Sequence, residues 1–218
     1  SYAGSTTING GTISIANLSN GGIAGGIGAA SNVASNLVIN GGTLRYTGTA
    51  TSTDRAFTIG AGGATIDASG TGSLTFSTPG VTLAYGTTNQ VRSLTLTGSS
   101  SASLVNTFGK VIANNGSGAT SLTKSGSNTW ALSAANTYTG PTTVAAGTLA
   151  LTAGSLGSTA ISVSTGATLS VLTAGTYGTG ATGAGTAGAS LSLGAGSVFS
   201  MANDGGAGLL TLGQQDSF

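Results

Sequence analysis

The sequence predicts an all-β chain of repeated strand–corner–strand units, and three observations carry that prediction. The chain matches itself without a gap: Tyr2-Ala-Gly-Ser-Thr-Thr-Ile-Asn-Gly-Gly-Thr-Ile-Ser-Ile lines up on Tyr138-Thr-Gly-Pro-Thr-Thr-Val-Ala-Ala-Gly-Thr-Leu-Ala-Leu. Ile8, Ile13 and Ile15 fall on Val144, Leu149 and Leu151, and such a self-match marks a repeat architecture. A glycine corner between aliphatics recurs, at Ile8/Gly11/Ile13, Ile39/Gly42/Leu44, Ile59/Gly63/Ile66, Val144/Gly147/Leu149, Val163/Gly166/Leu169 and Leu193/Gly196/Val198. Helical spacing of apolar residues is nearly absent, and the chain's 40 glycines would each cost a helix about 1 kcal/mol relative to alanine.

In chain order, short alternating strands are expected within residues 7–16, 37–46, 57–67, 73–76, 81–84, 92–97, 110–113, 121–124 and 130–133. Further strands are expected within 142–151, 160–171, 190–201 and 209–212. Two long Gly/Ala-rich runs, 17–36 and 173–189, lack alternation, and read either as loops leaving the body or as turns with small-residue faces. Residues 50–55, with Asp54 and Arg55, read as a polar loop. Two architectures use such corners. Asn9-Gly10 and Asn40-Gly41 suit hairpins of an antiparallel sheet. A parallel β-helix uses the same corner to turn onto its next face, and strands of three to five residues are short for a sandwich, where about 5–6 is usual.

The stretch 122–151 runs Leu-Thr-Lys, Gly, a short apolar strand, Ala-Asn-Thr-Tyr-Thr-Gly, Thr-Thr-Val and Gly-Thr-Leu. It resembles the autotransporter-associated β-strand repeat of bacterial passenger domains, with one full copy there and a second half-copy at residues 2–15. The resemblance implies a right-handed parallel β-helix, on or released from a Gram-negative cell surface, outside the outer membrane. At the 20–25 residues per coil it suggests, the 218 residues form one solenoid of about ten coils, roughly 45–50 Å long at about 4.8 Å per coil. Its interior is expected to be a column of Ile, Leu, Val and Ala, each over its like. Neither end shows a signal peptide or a cap, so both are expected to be cuts through a longer solenoid.

Composition narrows function by exclusion. Nine residues are charged, at net +1: Arg45, Arg55, Arg92, Lys110, Lys124, Asp54, Asp67, Asp204 and Asp216. Five scattered cations make no phosphate-binding face, and no apolar run approaches the roughly 18–20 residues of a spanning helix. Neither nucleic acid nor membrane insertion is therefore expected. With no His, Cys or Glu, the nucleophilic triads cannot be assembled and zinc would have only Asp. No catalytic residue, cofactor or metal site is expected. Asn136-Thr137-Tyr138-Thr139-Gly140 reads as a corner in preference to an exposed sugar-stacking patch, Trp130 as packing in preference to a ligand platform, and Lys124 as a solvated charge. Thr6-Thr7 and Thr95-Leu-Thr97 resemble fragments of an ice-binding threonine array, which the sequence shows only sporadically.

The function expected from this resemblance and this poverty of chemical groups is structural: a stiff rod, able to associate end to end into a fibre. The alternative is an adhesin that binds a glycan or a cell-surface partner. Its sites would lie in 17–36 or 173–189, or on Tyr46, Tyr85 and Tyr177.

Overall fold

The computed structural model describes residues 1–78, 80–152, 156–157, 159–171 and 191–201. Every paired strand among them runs parallel to its neighbours. The chain begins with β1 (Thr6–Ile8) and β2 (Thr12–Ile15), then β3 (Leu37–Ile39), β4 (Gly42–Tyr46) and β5 (Thr51–Thr53). A third turn holds β6 (Thr58–Ile59), β7 (Ala64–Ala68) and β8 (Leu74–Phe76), and a fourth β9 (Ala84–Tyr85), β10 (Arg92–Thr97) and β11 (Val105–Phe108). Four two-strand turns follow: β12 (Thr120–Lys124) with β13 (Thr129–Leu132), β14 (Thr142–Val144) with β15 (Thr148–Leu151), β16 (Ile161–Val163) with β17 (Thr168–Val171), and β18 (Leu191–Leu193) with β19 (Val198–Met201).

Three sheets result. The first stacks β1, β3, β6 and β9; the second β2, β4, β7, β10, β12, β14, β16 and β18; the third β5, β8, β11, β13, β15, β17 and β19. This is a parallel β-helix. Non-consecutive strands pair, so the hairpin alternative fails: Asn40 at the Asn-Gly corner links coil to coil, donating from Nδ2 to Asn9 Oδ1 at 3.1 Å and accepting from Gly62 N at 2.9 Å. The second sheet counts eight rungs among the described residues, against the ten expected. Coil length among the described residues runs from 19 residues (Thr143 to Ser162) to 31 (Thr12 to Thr43), a wider range than the 20–25 expected, and residues 202–218 lie outside the described residues. Eight rungs span roughly 34 Å from first to last at about 4.8 Å per step. The expected strand at 209–212 and the run 173–189 lie outside the described residues.

The interior is packed, with Ile8, Ile39, Val144 and Val163 all buried. In the second sheet, Ile13, Leu44, Ile66, Leu96, Lys124, Val144, Val163 and Leu193 share one column. The expected like-on-like aliphatic stack is corrected in two places: Lys124 interrupts this column, and an aromatic cluster fills the interior between the third sheet and the chain entering β6 of the first. There Phe57, Phe76, Phe108 and Trp130 meet at ring-centroid distances of 5.6–6.4 Å, mostly edge to face. The rings lie where three-strand turns give way to two-strand ones, Phe57, Phe76 and Phe108 in the former and Trp130 in the latter.

The glycine corners form as expected, with one displacement. Gly11, Gly63, Gly147, Gly166 and Gly196 hold positive φ, whereas at Asn40-Gly41-Gly42 the left-handed residue is Gly41. Gly42 is small for another reason: a Cβ there would sit 2.3 Å from Ile8 Cγ2. The corners also occupy two different places. In the first three turns they join the first sheet to the second; from Gly147 onward they join the second to the third. The self-match of residues 2–15 with 138–151 therefore repeats a corner, not a face. Ile8 stacks with Ile39, Ile59 and Tyr85, while Val144 stacks with Leu44 and Ile66.

The run that follows β2 packs against the first coil. Residues 17–36 neither protrude nor form a regular turn. They bring Leu18, Ile27 and Ala30 into the core and cross the first coil, where Ile8 and Ile15 are buried. Ala29 N donates to Tyr2 O at 2.7 Å, and a Cβ on Gly26 would lie 2.6 Å from Ile15 Cγ2, so only glycine lets the backbone pass that close. The outer edge of β2 remains a sheet edge.

Candidate functional site

Four of the five cations are buried, and each binds backbone carbonyls. Arg55, 2% exposed, donates from Nε to Ser19 O (2.9 Å), from one terminal nitrogen to Ala30 O (2.9 Å), and from the other to Asn20 O, Ile23 O and Gly28 O (3.3, 3.4 and 3.0 Å). The expected polar loop at 50–55 is instead β5 followed by this inward arginine, which pins the 17–36 crossing to the second coil. Asp54 completes the attachment by accepting from Gly21 N and Asn32 Nδ2. Lys110 Nζ donates to Asp54 O and Thr78 Oγ1. Arg92 donates to Val91 O and Thr87 O, and its Nε has no hydrogen-bond partner among the described residues.

Lys124, expected to be a solvated charge, is fully buried. Its place in the strand alternation points it inward, and its Nζ reaches Ser125 O, Gly126 O and Ala146 O at 2.6–3.0 Å. Burial pulls its pKa from 10.5 down to about 8. Between pH 8 and 10.5 the unfolded chain therefore holds a proton on Lys124 that the folded chain has released, and stability rises with pH through that window. Lys110, also lowered by burial, adds to the rise. Tyr138, Tyr85 and Tyr46 are raised by burial, so above about pH 10 they resist ionisation in the folded state and reverse the trend. The thermal midpoint should climb from pH 8 towards 10 and then fall. In Lys124→Met the climb should be smaller, and an unchanged slope would show that Lys124 does not titrate in this range.

The aromatic candidates for sugar stacking face inward. Tyr138 is buried, with its hydroxyl against Thr142 Oγ1 at 2.7 Å, and Asn136 accepts from Ile112 N and donates to Ala134 O, so this stretch is the corner. Trp130 is core, its Nε1 donating to Thr97 O at 3.0 Å. Tyr46 is buried with its hydroxyl on Thr49 O, which removes it as an exposed platform. Tyr85 is half-buried against Ala113. Tyr177 lies outside the described residues. Among the described residues no group of three His, Cys, Asp or Glu side chains could hold a metal, and no helix is long and apolar enough to cross a membrane.

The outer face of the second sheet carries the most regular chemistry. Thr12, Thr43, Thr65, Thr95, Thr123, Thr143, Ser162 and Ser192 stand in one register column, a hydroxyl on every rung. The threonines that the sequence shows only in fragments thus stand in a single column over six rungs, which two serines continue. It does not widen into a lattice, because the next column holds the ion pair Arg45–Asp67, 2.7 Å apart. Beside it lies a groove of about 320 Å³ lined by Gly62, Val91, Arg92, Ser93, Ser121 and Pro141 among others.

Two segments of the chain, residues 1–15 and 122–151, match the family described as passenger-associated-transport-repeat. Among curated proteins, a similar one is the adhesin BmaC autotransporter of Brucella suis biovar 1 (strain 1330), 49% identical over 131 residues. That alignment covers 60% of this chain and 4% of the adhesin, so the chain spans a small part of that relative's length. No solved structure matches.

Proposed function

We propose that this chain, a stretch of exported, cell-surface autotransporter passenger carrying passenger-associated transport repeats, works as a stiff spacer with no catalysis of its own. The supporting observation is where its chemistry goes. Arg55, Arg92, Lys110 and Lys124 are spent on backbone carbonyls, and the core rings on each other. Such a solenoid is a sum of nearest-neighbour interfaces, so length can change without changing fold. Residues 122–141 form a coil whose ends are in register, since Leu122 pairs with Thr142. Inserting three extra copies of 122–141 should lengthen the folded particle by about 14 Å, at about 4.8 Å per rung, in small-angle scattering. Aggregation or an unchanged longest dimension would reject the spacer.

End-to-end association is part of the same reading. It would bring the terminal strands of the second sheet, β2 and β18, edge to edge. Particles that stay single at high concentration in electron micrographs would exclude it. A second reading, a binding module, draws support from the similarity to an adhesin and takes a surface on this stretch as the contact with a host or neighbouring cell.

A further inference from the structure

The groove beside the hydroxyl column crosses four successive rungs at the corner entering the second sheet: residues 61–62 before β7, 91–93 at β10, 119–121 at β12 and 140–141 before β14. Its wall pairs Ser93 with Ser121 in register, and both point outward. Val91, 72% exposed, and exposed Pro141 supply apolar faces. Arg92 is buried beneath, with one N–H unpartnered. Two residues further along β10 and β12, about 6.6 Å away at strand spacing, Thr95 and Thr123 belong to the eight-rung hydroxyl column.

We propose that this groove and column bind a linear neutral oligosaccharide lying along the solenoid axis. The strands between the two edges of the second sheet have neighbours on both sides, so a peptide strand finds no free backbone ladder on this face. The groups left for recognition are hydroxyls repeating at roughly 4.8 Å, one per rung, and small apolar patches. A pyranose chain presents the complement, hydroxyls alternating with C–H faces, and Val91 and Pro141 would take the latter. The flanking charges, Arg45 and Asp67, neutralise each other, and Arg92, the one cation of the groove lining, is buried with two of its N–H groups on backbone carbonyls, so the exposed face is close to neutral. This site is distinct from the 17–36 run and from the tyrosines, and it stands or falls separately from the spacer, which is read by particle length.

The test is calorimetric titration of the whole chain with cellotetraose and chitotetraose, and with the dimer and hexamer of whichever binds. At least one tetramer should bind, and the hexamer should bind several-fold tighter than the dimer because it engages more rungs. Ser93→Ala with Ser121→Ala should weaken binding at least tenfold. Ser121→Tyr, which fills the groove from an outward position, should abolish binding while circular dichroism shows the fold intact. No binding of either tetramer at millimolar concentration overturns the proposal. So does full binding by folded Ser121→Tyr, and so does equal affinity for dimer and hexamer.

Discussion

Arg55→Met is expected to free residues 17–36 from the body of the solenoid and to cost about 3–5 kcal/mol, as breaking a buried charged network does. That is a large share of the 5–15 kcal/mol by which domains are usually stable. The guanidinium serves five carbonyls, of Ser19, Asn20, Ile23, Gly28 and Ala30, spread over twelve residues of a segment that includes Gly21, Gly22, Gly25, Gly26 and Gly28. A glycine-rich run has the most backbone entropy to lose on ordering, so it needs an organising group from outside. Methionine keeps the bulk and offers no donor, leaving buried acceptors at about 1–3 kcal/mol each where water cannot reach them. Arg55→Lys should fall between, because one ammonium cannot reach all five oxygens with the fork of a guanidinium. Urea midpoints give the energy, and limited proteolysis should cut Arg55→Met first within residues 20–30. A midpoint and cleavage pattern like the parent's would remove Arg55 as the fastener.

This residue also shows where the sequence stops being legible. Strand, corner and parallel stack could be read because each rests on local spacing: an aliphatic, a glycine, another aliphatic. Inward and outward were readable for Ile and Thr. They were misread for Arg55 and Lys124, because nothing local says that a long cation will find carbonyls at a corner instead of water. The hydroxyl column was present throughout as a Thr or Ser directly before an inward residue: Thr12-Ile13, Thr43-Leu44, Thr65-Ile66, Thr95-Leu96, Thr123-Lys124, Thr143-Val144, Ser162-Val163 and Ser192-Leu193. Intervals that swing between 19 and 31 residues hide that period. The groove could not be read at all, since it depends on which corners four unequal coils bring side by side.

Trp130→Ala should be the most damaging single change in the body of the solenoid. Trp130 is fully buried, stacked in register between Asn106 and Leu149, and edge-on to Phe108 at 6.4 Å. Truncating a buried Trp costs about 3–5 kcal/mol, with about 0.5–1.5 more for the aromatic contact. The lost indole hydrogen bond adds little, because Thr97 O also accepts from Asn128 Nδ2. The location matters as much as the size. Phe57, Phe76, Phe108 and Trp130 join three-sided coils to two-sided ones, where the first sheet has ended at β9. In a chain whose cooperativity passes from rung to rung, a cavity at that junction uncouples the halves. Trp130→Ala should therefore unfold in two steps, and hydrogen exchange should show β13 and β15 losing protection before β4 and β7. Trp130→Phe, which refills most of the space, should restore a single transition. One sharp transition in Trp130→Ala, shifted by less than about 1 kcal/mol, would mean that the aromatic cluster fills space without joining the two parts.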